Sequence, residues 1–171
     1  CLTDSVQVFG VDGTYSDNVL VYELNSDGGT TNNVPDTTGN YNGTSAGITY
    51  STGKFGNAAD FNGSSTYIDT GYKVPASPYF SFSWWMNASP SGGGSDNDYI
   101  VGDASSGAVG DTFNIYLNGS SMGFSGAGFN SGGGVIASTT GSWMHFLVVL
   151  DGTTMYVYKD GVQAYTLSGT A

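Results

Sequence analysis

The sequence predicts an all-β fold, namely an antiparallel β-sandwich of the jelly-roll type. Short runs of alternating apolar and polar residues recur along all 171 residues, with the two-residue period of a strand and no convincing 3.6-residue period of a helix. Asn-Gly and Asp-Gly pairs, which are the strongest local hairpin signals, separate several of these runs. Aromatic residues make up 14% of the chain and glycine occupies 28 positions, a composition that favours strands joined by tight turns.

The predicted strands follow one another at short intervals, and about a dozen antiparallel strands in one domain indicate a two-layer sandwich. The predicted strands are 5–9, 19–24, 47–50, 57–62, 66–69, 79–87, 98–102, 112–118, 121–125, 134–137, 142–150, 154–159 and 162–167. We expect the sandwich to span 19–171 and residues 1–18 to be a connector or docking arm. The segments 88–97, 103–111 and 126–134 are glycine-, serine- or aspartate-rich and are expected to be loops at the rim.

Two strand predictions carry specific expectations. Residues 57–62 and 66–69 are expected to form a hairpin around the turn 62–65, with Phe61 and Ile68 in the core. In 79–87, alternation places one apolar set on a single face and Trp85 on the other. The apolar set, which is expected to line the core, is Phe80, Phe82, Trp84 and Met86.

The charge balance excludes some functions. The chain has 14 acidic residues, three lysines and a net charge of −11, which argues against binding to nucleic acid, because phosphate contacts need cations. It argues equally against docking on anionic lipid. No apolar run is long enough to span a membrane. The single cysteine, Cys1, allows no internal disulfide, and with His145 as the sole histidine a zinc site is not expected.

Five segments in order resemble the concanavalin A-like, laminin-G-like jelly-roll family, which is related to the pentraxins. They are LVYELNSDGG (20–29), DTTGNYNGT (36–44), GKFGNAADFNGSSTYID (53–69), FSFSWWMNAS (80–89) and GSWMHFLVVLDGTTMYVYKDG (141–161). The resemblance implies a fold that hosts lectins, adhesion modules, polysaccharide-binding modules and glucanases. The opening Cys-x-Thr-Asp-x-Val and the run KFGNAADFNGSS (54–65) also resemble modules in structural proteins of marine bacteriophages, including tail-fibre and capsid-surface proteins.

Catalysis is not expected. Glucanases of the resembling family use a Glu-x-Asp-x-x-Glu strand, and this chain has one glutamate, Glu23, without those partners. Glycoside hydrolysis needs two carboxylates that flank the bond. His145 lies within a predicted strand without a nucleophile elbow, and we interpret it as a packing or hydrogen-bonding residue.

Carbohydrate binding needs aromatic side chains that stack on sugar rings and planar polar side chains that contact hydroxyls. The candidate glycan-binding residues are Trp85, Asp96, Asn97, Asp98, Tyr99, Asp103, Asp111, Tyr116 and Phe129. The alternative for each aromatic residue is a place in the core or in the wall of a groove.

Calcium is a second expectation, because laminin-G-like and pentraxin domains often bind it through Asp, Asn and carbonyl oxygens. The candidate ligands are Asp27, Asn32, Asp36 and Asn40, with Asp96, Asn97, Asp98, Asp103 and Asp111 as a second set on the rim loops. The alternative is that these side chains are solvated turn residues.

The sequence therefore predicts a non-catalytic, extracellular or virion-surface module that binds a glycan or cell-surface polysaccharide for adhesion or recognition. The alternative is a decoration or fibre subunit whose function is assembly with neighbouring chains or with itself, through an interface such as a paired edge strand.

Overall fold

The computed structural model describes residues 2–5 (backbone only), 19–26, 32–73, 79–89, 98–102, 113–126 and 128–169. Within these ranges the regular secondary structure is β-strand. The strands are β1 Leu2–Ser5, β2 Asn33–Val34, β3 Gly43–Ala46, β4 Thr49–Thr52, β5 Asn57–Phe61, β6 Tyr67–Asp69, β7 Tyr79–Ala88, β8 Asp98–Gly102, β9 Asn114–Asn118, β10 Ser121–Gly126, β11 Phe129–Asn130, β12 Ile136–Ala137, β13 Trp143–Asp151, β14 Thr154–Lys159 and β15 Val162–Ser168.

The strands form three sheets, which confirms the predicted all-β class. One has seven strands in the order β15-β14-β13-β7-β1-β5-β4. The second has five strands, with the order β11-β10-β9-β8 and β12 also paired with β10. The third has three strands in the order β2-β3-β6. Strand pairs with a resolved register, such as β9 with β10 and β13 with β14, are antiparallel.

The chain divides into two compact units, which are described separately. The first unit comprises Cys1–Tyr72 and Ser83–Asn87, and the second comprises Lys73–Phe82 and Ala88–Ala171. A core cluster of the first unit contains Tyr22, Leu24, Val34 and Ala59, with Leu20, Ile48, Tyr50, Phe61 and Ile68 packed against it. This confirms the core positions predicted for Phe61 and Ile68.

Alternation with period two builds the second unit's core. Along β13 every second residue is buried, from Met144 to Leu150. In the five-stranded sheet the buried apolar side chains include Ile115, Leu117 and Met122. Each such side chain removed from water contributes about 1.5–3 kcal/mol to folding.

Strand β7 confirms its predicted alternation. Trp84 and Met86 are buried at 1% and 0% exposure, and Phe80 is partly buried with its ring 5.0 Å from that of Phe113. Trp85, on the opposite face, is only partly buried.

Three hairpins predicted from Asn-Gly and Asp-Gly pairs are confirmed. The pairs at 118–119, 151–152 and 160–161 join β9 to β10, β13 to β14 and β14 to β15. In each turn the glycine has a positive φ, for example 63° at Gly152, which glycine adopts without steric cost.

The predicted hairpin between 57–62 and 66–69 is wrong. Strand β5 pairs with β1 and β4, whereas β6 pairs with β3 in another sheet. The intervening turn is closed by a side chain, since Asn62 Oδ1 accepts hydrogen bonds from the backbone N–H groups of Ser64, Ser65 and Thr66 at 2.9, 2.9 and 3.2 Å. Because the turn is held by its own asparagine, the chain can leave one sheet and enter another.

The predicted strand 19–24 is also wrong, because its described residues form no strand. The backbone of Val21 bonds to a turn instead of a ladder: its N–H donates to Asp36 Oδ1 at 2.7 Å, and its carbonyl accepts from Thr37 N at 2.8 Å. The strand predicted at 47–50 begins later, as β4 at Thr49. Strands β2, β3 and β11 were not predicted.

The N-terminal segment contributes a strand. Leu2, Thr3 and Asp4 of β1 pair with Phe61, Asp60 and Ala59 of β5, so residues 2–5 of the predicted connector take part in the seven-stranded sheet. Residues 6–9 of the predicted strand 5–9 lie outside the described residues. Among the residues that the structure does describe, no helix is long and apolar enough to cross a membrane.

Candidate functional site

The five-stranded sheet has two chemically different faces. Ile115, Leu117, Met122 and Phe124 face the core. Alternation places the next residues along the same strands on the other face, and strand register aligns them in rows. We call this second face, which is made by Tyr99, Gly102, Asn114, Tyr116, Gly123, Ser125 and Asn130, the polar face.

Two tyrosines lie side by side on the polar face. Tyr99 of β8 stands directly opposite Tyr116 of β9, and their ring centroids are 6.2 Å apart at an angle of 61°. Tyr116 is only 6% exposed, whereas Tyr99 is 53% exposed. The pair therefore presents one ring to solvent beside a second ring that is held in place.

Gly123 makes room for the Tyr116 ring. A Cβ atom at position 123 would lie 2.6 Å from Cε2 of Tyr116 and 2.6 Å from the carbonyl oxygen of Gly133. Real Cβ atoms do not approach other atoms this closely, so a side chain at 123 would displace the ring or the backbone. Glycine at this position is required by the close approach of its neighbours.

A bulge brings Gly133 to this position. Both β11 and β12 pair with β10. Ser131 N–H donates to Phe124 O at 2.9 Å, and Val135 N–H donates to Met122 O at 2.7 Å. The residues between Ser131 and Val135 are therefore more numerous than those between the two acceptors on β10, and the extra residues form the bulge. Ser131 Oγ closes the bulge by donating to Gly133 O at 2.6 Å. The sequence predicted a rim loop at 126–134. In the structure the bulge within this segment lies close to the Tyr116 ring.

Asn114 is a buried polar residue that was not predicted. It is 7% exposed, and its Oδ1 accepts no hydrogen bond in the described structure. Its cross-strand neighbours are small, with Gly102 on β8 and Ser125 on β10. The sequence could have drawn attention to Asn114, because asparagine is uncommon inside a strand.

The structure separates the predicted glycan-binding residues into groups. It brings Tyr99 and Tyr116 together on the polar face. Asp98 stands opposite Leu117 and therefore belongs to the other side of β8. Phe129 is 5% exposed and packs against Gly169, where a Cβ would meet its ring at 2.8 Å, so it is a packing residue. Asp96, Asn97, Asp103 and Asp111 lie outside the described residues.

Trp85 has a different environment, in the first unit. Lys54 Nζ lies 5.1 Å from its ring centroid, a cation–π distance. The Phe55 ring meets it edge-on at 5.6 Å, and Phe55 is 55% exposed. These contacts make Trp85 the support for the turn between β4 and β5.

Asp36, a predicted calcium ligand, is a buried turn residue that is 4% exposed. Its Oδ1 accepts from the N–H groups of Val21 at 2.7 Å and Thr38 at 3.1 Å. Its Oδ2 accepts from Thr38 Oγ1 at 2.5 Å, Asn40 N at 3.2 Å and Tyr41 N at 2.9 Å. Burial alone would raise the pKa of Asp36, but the hydrogen bonds from Thr38, Val21 and Tyr41 outweigh it and lower the pKa.

This arrangement does not fit a cation at Asp36, because its oxygens already face N–H and O–H donors. The carbonyl of Asn32 accepts from Ser45 N at 2.9 Å, and Asn40 Nδ2 donates to Thr38 Oγ1 at 3.2 Å. Within the described ranges, no group of three or more His, Cys, Asp or Glu side chains could hold a metal. Asp27 lies outside those ranges, and calcium binding by the chain stays a prediction.

His145 and Glu23 have local partners. The His145 N–H donates to Asp160 Oδ1 at 2.9 Å, and its carbonyl accepts from Asp160 N at 2.8 Å. Burial lowers the pKa of His145, and Asp160 partly opposes that shift. Glu23 Oε2 accepts from Asn25 Nδ2 at 3.2 Å. Both contacts serve local structure.

Comparisons with known proteins support the predicted fold. A family model described as the concanavalin A-like lectin/glucanases superfamily matches residues 61–171. Domain 4 of AbnA, a GH43 extracellular arabinanase from Geobacillus stearothermophilus solved in complex with arabinotriose, has a similar structure with a TM-score of 0.62 and 22% identity, covering 89% of this chain and 76% of that one. No curated protein sequence matches the chain. The β-sandwich class is confirmed, and the chain belongs to the concanavalin A-like lectin/glucanases superfamily.

Proposed function

We propose that this chain is a non-catalytic carbohydrate-binding module whose binding surface is the polar face of the five-stranded sheet. The observation that carries the proposal is the pair formed by Tyr99 and Tyr116, because an exposed aromatic ring supported by a fixed one is a stacking platform for a sugar ring. The bound arabinotriose in the similar domain supports a saccharide as the ligand class. That domain belongs to an extracellular enzyme, which favours an extracellular setting here too.

The carboxylates support a non-catalytic role. The chain contains a single glutamate, Glu23, which is exposed and accepts from Asn25. A glycosidase places two carboxylates on either side of the bond to be cleaved. The described residues of the polar face are tyrosine, asparagine, serine and glycine. Aromatic, amide and hydroxyl groups can bind sugars, and none of these residues supplies a carboxylate for cleavage.

The test is a glycan array that includes arabinotriose, followed by titration calorimetry with the best ligand. Tyr99→Ala is expected to weaken binding about twofold to tenfold, because an aromatic contact contributes roughly 0.5–1.5 kcal/mol beyond buried area. Tyr67→Ala is the matched control, since Tyr67 is similarly exposed at 58% but lies on β6. Equal losses in both variants, or no bound glycan at all, would contradict the proposal.

Repeating the titration with calcium and then with EDTA tests the calcium prediction separately. The hydrogen bonds that Asp36 accepts argue against a cation at that residue, and equal affinity in both buffers would contradict a calcium-assisted site on the rim loops as well. Binding that is lost in EDTA would show that calcium takes part in recognition, and would direct attention to the rim aspartates such as Asp103 and Asp111.

An assembly role is the second candidate. Val162 is 70% exposed on β15, which is an edge strand of the seven-stranded sheet. An exposed edge with an apolar side chain can pair with a neighbouring chain, as in a fibre or virion-surface subunit. A concentration-dependent oligomer in analytical ultracentrifugation that Val162→Lys abolishes would favour this function over glycan binding.

A further inference from the structure

We infer that Ser131 is a positioning residue of the polar face: it fixes the bulge that confines the Tyr116 ring, and through that ring it orients the exposed ring of Tyr99. This inference rests on the proposed function and adds a residue that prepares the site while acting through other side chains. The observation behind it is a set of three hydrogen bonds that hold the bulge between β11 and β12.

Ser131 ties the bulge to β10 and to itself. Its N–H donates to the Phe124 carbonyl oxygen at 2.9 Å, and its Oγ accepts from the Phe124 N–H at 2.9 Å. The same hydroxyl donates to the carbonyl oxygen of Gly133 at 2.6 Å. A hydroxyl group can donate and accept at once, so one side chain makes both contacts and its removal breaks both.

The rest of the bulge depends on such contacts for its shape. Residues 132–134 are all glycine, and Gly132 and Gly133 have φ values of 70° and 139°. Glycine has more backbone freedom than any other residue, so this segment is not held by its own conformational preferences. The second side-chain contact is that of Asn130, whose Oδ1 accepts from Gly132 N–H at 2.8 Å.

The bulge carbonyl and the Tyr116 ring are neighbours above Gly123. A Cβ atom at position 123 would lie 2.6 Å from Gly133 O and 2.6 Å from both Cε2 and Cζ of Tyr116. The carbonyl that Ser131 holds therefore borders the space into which the ring is packed. If that carbonyl moves away, the ring gains room on the polar face.

Tyr116 in turn orients Tyr99. The two residues stand opposite each other on β9 and β8, with their ring centroids 6.2 Å apart at an angle of 61°. Tyr99 is 53% exposed and Tyr116 only 6%, so the buried ring is the fixed partner of the pair. An aromatic ring that is oriented before the ligand arrives loses less conformational freedom on binding, which raises affinity.

The test measures the affinity of the oligosaccharide that binds the wild type most tightly on the array. Ser131→Ala is expected to weaken that binding about twofold to fivefold, and no more than Tyr99→Ala does, because it acts only through the tyrosine platform. Ser138→Ala is the matched control. Ser138 is another serine beside β10 whose Oγ donates to a backbone carbonyl, that of Ser120 at 3.0 Å, and its loss should leave the affinity unchanged.

Restoring the hydroxyl separates its role from that of side-chain size. Ser131→Thr keeps the hydroxyl and is expected to bind like the wild type. A loss in Ser131→Thr as large as that in Ser131→Ala would show that the hydroxyl is not the cause, and would overturn the inference. If Ser131→Ala fails to fold by circular dichroism, Ser131→Cys, whose thiol is a weak donor and acceptor, takes its place with the same expectation.

A double-mutant cycle distinguishes positioning from a general loss of structure. In a Tyr99→Ala background, Ser131→Ala should cause no further loss of affinity, since the ring through which it acts has been removed. Without ligand, the ring signals of Tyr99 and Tyr116 in NMR spectra, assigned with Tyr99→Phe and Tyr116→Phe, should shift in Ser131→Ala and stay in place in Ser138→Ala.

The outcomes separate the two proposals. If no glycan binds the wild type, the proposed function fails and this inference fails with it. If a glycan binds and loses affinity on Tyr99→Ala but not on Ser131→Ala, the function stands and this inference is overturned. Equal losses of affinity in Ser131→Ala and Ser138→Ala, or unchanged ring signals in Ser131→Ala, would also overturn it.

Discussion

Asp36 and Asn114 are both polar and almost completely buried, yet their surroundings are opposite. Asp36, in the first unit, is 4% exposed and accepts five hydrogen bonds from the turn that it organises. Asn114, in the second unit, is 7% exposed, and in the described structure its Oδ1 accepts none. A buried acceptor with all its donors stabilises the fold, whereas one without donors costs stability.

The hydrogen-bond partners of a buried polar residue, and not its type, decide whether its burial stabilises the fold. By type, Asp36 is the stronger candidate for binding, because carboxylates bind cations. Its oxygens are directed at backbone N–H groups that would otherwise be buried without partners. Asn114 Oδ1 has no donor of this kind within the described structure.

The largest expected effect is that of removing the satisfied carboxylate. Asp36→Ala leaves the N–H groups of Val21, Thr38 and Tyr41 without their acceptor, and we expect a loss of about 3 kcal/mol in the free energy of unfolding. Urea denaturation measures it. Asp60→Ala, which removes a carboxylate that accepts one hydrogen bond from Ser51 Oγ, is the control and should cost less than about 1 kcal/mol. Equal losses of unfolding free energy in the two variants would show that the hydrogen bonds accepted by Asp36 give it no special role in stability.

Gly123→Ala tests how firmly the tyrosine platform is held. The added Cβ would meet the Tyr116 ring and Gly133 O at 2.6 Å, and overpacking of this kind costs about 1–3 kcal/mol. Glycan binding should weaken along with stability, because Tyr116 supports Tyr99. Gly63→Ala is the control for backbone strain alone, since Gly63 has a φ of 70° and open space around it; that variant should lose stability and keep its affinity.

The low pKa of Asp36 predicts acid sensitivity. A carboxyl whose pKa is lower in the folded state stabilises the fold fully above its ordinary pKa of about 4, and that contribution is lost as pH falls through the folded value. Unfolding free energies measured between about pH 6 and pH 2 should therefore fall more steeply for the wild type than for Asp36→Asn. Parallel curves would show that Asp36 contributes nothing through its charge.

Asn62 tests whether the burial of an acceptor determines how much stability is lost when the acceptor is removed. It also accepts several backbone hydrogen bonds, but it is exposed, so water can replace it. Asn62→Ala is expected to cost about 1 kcal/mol, well below Asp36→Ala. A loss as large as that of Asp36→Ala would show that the turn between the two sheets matters more than the burial of its acceptor.

The smallest effect on stability is expected at Asn114. Asn114→Leu removes an acceptor that has no partner among the described residues, so the unfolding free energy should change by less than about 0.5 kcal/mol or should rise. Differential scanning calorimetry without ligand measures this. A loss near that of Asp36→Ala would mean that Asn114 has an architectural role like that of Asp36.

The sequence alone determined the features that depend on neighbours along the chain. The alternation in 79–87 correctly identified the core face with Trp84 and Met86, because a strand turns successive side chains to opposite sides. Asn-Gly and Asp-Gly pairs correctly marked three hairpins, because those residues suit the backbone of tight turns. The sequence also named Tyr99 and Tyr116 as candidate sugar-binding residues, and that role stays a prediction.

Only the tertiary structure decided the features that depend on distant partners. The turn at Asn62 joins two sheets because β5 and β6 find partners elsewhere, and residues 19–24 form no strand because Asp36 and Thr37 take up the hydrogen bonds of Val21. Phe129 is buried because Gly169 leaves space for its ring. Asn114 stands out only once the strands on both sides are known, because whether a buried acceptor has a partner is a property of the packed neighbourhood.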